Sequence, residues 1–145
     1  MRNLLVAAAM AALCFGQTAP PAPAAPNSAY KALLQEVKNR INHIDVEQFR
    51  ALRAAHPNAL VIDVRESEEW AKGHAAGAIH IPRGLLEREI EAQAPVKDAV
   101  ILLYCHSGSR SAFAAESLGR MGYLRVYSLD GGLGAYESAG LPMEK

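Results

Sequence analysis

The chain has 145 residues, half of them hydrophobic, with 15 basic and 15 acidic side chains. That composition suits one domain with a real core and excludes a fibrous or wholly disordered chain. The balanced charge offers no ground for nucleic acid or an anionic membrane surface as a partner.

Arg2 precedes the apolar run Leu4 to Leu13, and the small residues Cys14 and Gly16 follow. A positive start, a short hydrophobic stretch and a small-x-small site are the parts of a secretory signal peptide. Residues 1–16 are therefore expected to be removed on export, with the bacterial periplasm as the destination. The run falls short of the roughly 20 residues that span a bilayer, so no membrane attachment is expected after processing. Residues 17–28, with four prolines, read as an extended Pro/Ala-rich linker. Over 29–41, Tyr30, Leu33, Leu34, Val37 and Ile41 recur at helical spacing and predict an amphipathic helix capped by Ser28. Its apolar stripe either packs on the domain's flank or docks a protein partner.

Ile41 to Ile44 is a candidate strand. Asp45 with Gln48 has capping-box spacing and Ile44 can staple against Phe49, which predicts a helix from Asp45 to Ala55, broken at Pro57-Asn58. Ala59 to Ile62 and Ala99 to Tyr104 are continuous apolar runs, the pattern of strands buried on both faces of a parallel sheet. The first leads into Asp63 and Arg65, which lie two apart and so share a face. Ser67 is placed to cap a short helix carrying Glu68 and Glu69 in its first turn and stopped by Gly73. Trp70 and His74 read there as packing residues. Ala78 to Pro82 predicts a short strand, residues 84–93 a charged helix, and Arg125 to Tyr127 a last strand. Asp130 would cap a final helix entered through the turn Gly131-Gly132. Strands alternating with helices predict an α/β domain: a small parallel β-sheet of about five strands with helices on both faces.

The second apolar run ends abruptly at Cys105-His106-Ser107-Gly108-Ser109-Arg110, before a helix-like stretch from Ser111. This strand, loop and helix place Cys105 at the carboxyl edge of the sheet, where open α/β folds bind ligands. A loop curled round the sulfur would aim its N–H groups inward, and with the helix's positive end would favour thiolate. Gly108 suits the tight turn, Ser107 and Ser109 can donate hydrogen bonds, and Arg110 can fork onto an anion. With the leader removed, Cys105 is the one cysteine left, unable to form an internal disulfide and either buried and inert or free and reactive. No CxxC, HExxH or G-x-G-x-x-G pattern occurs, so neither a metal nor a cofactor is expected.

The loop from Cys105 to Arg110 resembles the active-site loop of rhodanese-type sulfurtransferases. Val61 to Trp70, running on to Gly73-His74, Gly77-Ala78 and Ile81-Pro82, is similar to that family's amino-terminal signature. Leu129-Asp130-Gly131-Gly132 with Ala139 to Pro142 resembles its carboxyl-terminal one. The resemblance covers residues 42–142 and implies a rhodanese-like domain over 42–145. It also implies a persulfide on Cys105 that carries sulfane sulfur from thiosulfate, or a similar donor, to cyanide or a thiol. Arg65, Arg110, His106, Ser107, Gly108 and Ser109 would face the substrate, with Asp63 as structural support. A thioredoxin-like protein is a further candidate partner. Many family members carry an arginine where this chain has His106; a histidine is only partly charged near neutral pH, so weaker thiosulfate binding that improves on mild acidification is expected. Two other readings stand beside this one. The first is a slow or non-catalytic sulfur carrier docked to a redox partner. The second is a Cys-based phosphatase or arsenate reductase, although tyrosine-phosphatase loops have one more residue between Cys and Arg.

Overall fold

The computed structural model describes residues 25–145; the expected leader 1–16 and the linker as far as residue 24 lie outside the described residues. The two apolar runs form the middle of the sheet. β5 (Val100–Tyr104) is buried along its whole length and pairs in parallel with β2 (Leu60–Asp63), Leu60 opposite Ile101 and Asp63 opposite Tyr104. On the far side of β5 lies β6 (Arg125–Leu129), then β1 (Asn42–Ile44), while β4 (Ile79–His80) borders β2. The order is β1-β6-β5-β2-β4, every pairing parallel. The expected five-stranded sheet is thus present. A second, antiparallel pair joins β3 (His74–Ala75) to β7 (Met143–Glu144), two residues each, too short for any pattern in the sequence to announce.

Side chains alternate along β5 and divide the core in two. Ile101 and Leu103 point with Cys105 toward α4 (Leu86–Gln93) and α5 (Ser109–Arg120), against Leu86, Ile90, Ala114 and Leu118. Val100, Leu102 and Tyr104 face α2 (Val46–Ala55) and α6 (Gly132–Ser138), against Phe49, Leu133 and Tyr136. Helices therefore cover both faces. α1 (Ser28–Lys38) lies on α5, with Val37 buried and the Tyr30 and Phe113 ring centroids 6.3 Å apart. Of the two readings of that amphipathic stretch, the flank is where it packs.

The Asp45–Gln48 capping box forms, the Asp45 carboxylate accepting from Gln48 N–H at 2.8 Å and the Gln48 side chain from Asp45 N–H at 3.0 Å. Three expected caps shift. Asn27, in the left-handed region at φ 62°, precedes α1 in place of Ser28. Glu66 precedes α3 (Ser67–Trp70) in place of Ser67, its N–H held by the Glu69 carboxylate at 3.2 Å. Gly131, at φ 73°, precedes α6 in place of Asp130, whose carboxylate accepts from Lys38 Nζ at 2.6 Å and ties α1 to the end of β6.

Candidate active site

Cys105 follows β5 directly, at the sheet's carboxyl edge, and is fully buried, while His106 and Ser107 beside it are exposed. The chain turns back through Gly108 at φ 96°, and Gly108 N–H donates to Cys105 Sγ at 3.1 Å. A glycine fits there because a Cβ would sit 3.1 Å from Leu129 O and 3.2 Å from Gly131 N on a backbone that L side chains rarely adopt. The amino end of α6 meets the same loop from behind. Leu133 N–H donates to Cys105 O at 2.8 Å and Gly134 N–H to His106 O at 3.3 Å. Both peptides are trans and planar, so tying their carbonyls to α6 turns the N–H groups of His106 and Ser107 away from it. Gly132 permits this approach, since a Cβ there would overlap Cys105 O and lie 2.7 Å from His106 C. Gly131-Gly132 is more than a turn: it lets a helix end orient the loop.

Asp63 and Arg65 form a buried pair at the end of β2. Arg65 N–H reaches Asp63 Oδ1 at 2.9 Å, its Nε both carboxylate oxygens at 3.0 Å, and its Nη2 Asp63 Oδ2 and Gly73 O at 2.7 Å each. Burial alone would lower the guanidinium's hold on its proton, but the Asp63 hydrogen bonds and charge outweigh it and hold Arg65 above its ordinary range. Nη1 is the guanidinium nitrogen with no hydrogen-bond partner among the described residues. Arg65 lines a pocket of about 350 Å³ together with Glu69, Lys72, His106, Leu133 and Glu137. Asp63 thus holds the Arg65 side chain in place, and Arg65 and His106 share one pocket wall.

Arg110 does not present an empty fork. Its Nη1 and Nη2 grip the Glu69 carboxylate at 2.6 and 2.8 Å, pinning the first turn of α5 to α3. The hydrogen bond from Arg110 pulls Glu69 from an ordinary 4.5 down to about 2, and the same bond raises Arg110. A carboxylate pKa depressed by folding contributes stability above its unfolded value and loses it as pH falls toward the folded one. The stability gap between wild type and Glu69→Gln should thus be constant above pH 4.5 and shrink between 4.5 and about 2, as urea titrations at several pH values can check. Ser109 is the first residue of α5, and neither it nor Ser107 has a side-chain hydrogen bond among the described residues. Trp70 stacks between His74, ring centroids 3.4 Å apart, and His80, at 5.0 Å, and His80 Nε2 in turn contacts Arg65 O at 2.9 Å. This is packing that steadies the arginine.

The rhodanese-like domain family model matches residues 33–139. The chain belongs to the rhodanese-like domain family. A sulfurtransferase of Allochromatium vinosum is 35% identical to this chain over 103 residues, 71% of this chain and 94% of that protein. The thiosulfate sulfurtransferase GlpE of Vibrio cholerae is 34% identical over 102 residues, 70% and 93%. The solution structure of the rhodanese-like domain of the Anabaena sp. Alr3790 protein superposes with a TM-score of 0.62 at 27% identity, covering 70% of this chain and 77% of that one. These names support sulfur transfer of the rhodanese type. Reading the sequence named the loop, Asp63 and Arg65, but gave no site role to Glu69, Lys72, Ser111 or Ser128.

Proposed function

We propose that this rhodanese-like domain moves sulfane sulfur from thiosulfate, or a similar donor, to a thiol or cyanide through a persulfide on Cys105. The Sγ thiolate attacks the donor's outer sulfur; the new S–S bond forms as the old one breaks, and sulfite leaves with its electron pair. An acceptor thiolate or cyanide then attacks the outer sulfur and Cys105 departs as thiolate. The observation that carries this reading is the Gly108 N–H on Sγ at 3.1 Å, in a loop whose first two carbonyls are occupied elsewhere. Fixed donors aimed where negative charge sits stabilise it without reorganisation. Arg65 would meet the donor's oxygens with Nη1, and Lys72 on the same pocket wall adds a second positive charge. Arg110 serves by holding the loop through Glu69.

Thiocyanate should form from thiosulfate and cyanide with the wild-type chain and vanish with Cys105→Ser; equal rates in both would overturn the reading. His106→Arg should lower KM for thiosulfate by a few-fold and leave kcat alone, in steady-state kinetics, because it adds a full charge at the rim.

The full burial of Cys105 supports a second reading, a carrier whose loop a protein partner of the thioredoxin-like class opens for loading. Rapid turnover with small donors alone favours the enzyme; turnover only when such a partner is added favours the carrier. Export rests on the first 16 residues, and amino-terminal sequencing of the protein from its host should then begin after Gly16.

A further inference from the structure

Two buried hydroxyls lie behind the sulfur, and the transfer steps above leave them unused. Ser111, in the first turn of α5, is 0% exposed and Ser128, on β6, is 1% exposed. Ser128 Oγ donates to Ser111 Oγ at 2.8 Å, and Ser111 Oγ lies 3.2 Å from Gly108 O and 3.7 Å from Cys105 Sγ. A serine hydroxyl has one proton to give. With Ser128 already donating to it, Ser111 must direct that proton either to the carbonyl or to the sulfur. A neutral sulfur is a weak acceptor, so the carbonyl wins. A thiolate is charged, and hydrogen bonds to charged acceptors are roughly twice as strong as neutral ones, so the sulfur wins.

We propose that Ser111 is a switching hydrogen-bond donor: it holds the Gly108 carbonyl while Sγ is neutral and turns onto Sγ when the thiolate appears, with Ser128 as the positioning residue that aims it. In kinetics this rests on the sulfur-transfer reading. During hand-off the acceptor attacks the outer sulfur, the S–S bond breaks and its electron pair stays on Sγ. Ser111 keeps its proton and supplies only a hydrogen bond to the departing charge, an interaction stronger at the transition state than before it. Within the described residues, Gly108 N–H and Ser111 Oγ are the groups in hydrogen-bond contact with Sγ. The charged and titratable groups around the site are Arg110 on α5, whose charge couples to Cys105, its partner Glu69 on α3, His106 in the loop, and Asp63 with Arg65 at the end of β2. Asp130, at the end of β6, is paired with Lys38.

The test is the pH dependence of Cys105 alkylation by iodoacetamide in the wild type, Ser111→Ala, Ser128→Ala and the double variant, with circular dichroism to confirm folding. Losing a hydrogen bond to a charged group should raise the thiolate titration by about one unit in Ser111→Ala, a roughly tenfold loss of thiolate below it, and by less in Ser128→Ala. Because Ser128 acts through Ser111, the double variant should match Ser111→Ala. Discharge of a preformed persulfide by cyanide should slow about tenfold in Ser111→Ala, in line with that shift. An unmoved titration in a folded Ser111→Ala, or additive shifts in the double variant, would overturn the proposal. Failure of wild type to take sulfur from thiosulfate would sink the transfer reading instead, and the titration would still judge the hydroxyls.

Discussion

Replacing Asp63 with alanine should destabilise the domain by about 3–5 kcal/mol, read as a lower midpoint in urea unfolding. Asp63 is wholly buried and Arg65 is 4% exposed, and the aspartate answers three donors of the arginine: its main-chain N–H, Nε and Nη2. An arginine stays charged when its partner is removed, so the variant leaves a buried cation on a single carbonyl, that of Gly73. Removing both members should hurt less than removing one, since the cost lies in the orphaned charge. Asp63→Ala with Arg65→Met is therefore expected to be more stable than Asp63→Ala alone. If the two midpoints coincide, the pair is not what holds the end of β2.

Gly132→Ala should lower sulfur transfer by at least about a hundredfold, the scale of loss that goes with a displacement of roughly 1 Å at a reacting centre. The new methyl would collide with backbone, the Cys105 carbonyl oxygen and, at 2.7 Å, the His106 carbon, and backbone cannot swing aside as a long side chain can. The residue also sits at φ 55°, where a Cβ costs about 1 kcal/mol in any case. To accommodate the methyl, α6 must back away, and the bonds from Leu133 and Gly134 to the loop carbonyls go with it. Gly134→Ala is the control: its Cβ would meet only His106 O, at an ordinary 3.9 Å, and alanine is the better helix former by about 1 kcal/mol. That variant should keep full activity, and steady-state rates of the two proteins side by side decide the matter.

Features written in short stretches of sequence were legible. The runs before Asp63 and Cys105 showed two buried parallel strands, the Asp45–Gln48 spacing showed a helix start, and the two-residue step from Asp63 to Arg65 showed a shared face. What escaped notice depends on partners far apart in the chain. Glu69 is well explained by the helix dipole, so nothing local hinted that it would take the fork of Arg110, 41 residues on. Asp130 likewise looked like a helix cap until Lys38, 92 residues earlier, claimed it. Ser111 and Ser128 are too ordinary to stand out until α5 and β6 bring their hydroxyls within 2.8 Å. Burial of the cysteine was one of two alternatives that the sequence left open, because it depends on how closely the loop folds back through Gly108.

The central claim is that Cys105 takes up and passes on one sulfur atom, and intact-protein mass spectrometry tests it most directly. After thiosulfate treatment the wild-type chain should gain the mass of a single sulfur, localised by fragmentation to Cys105 and removed by cyanide. An unchanged mass, or a gain that persists in Cys105→Ser, would contradict the account.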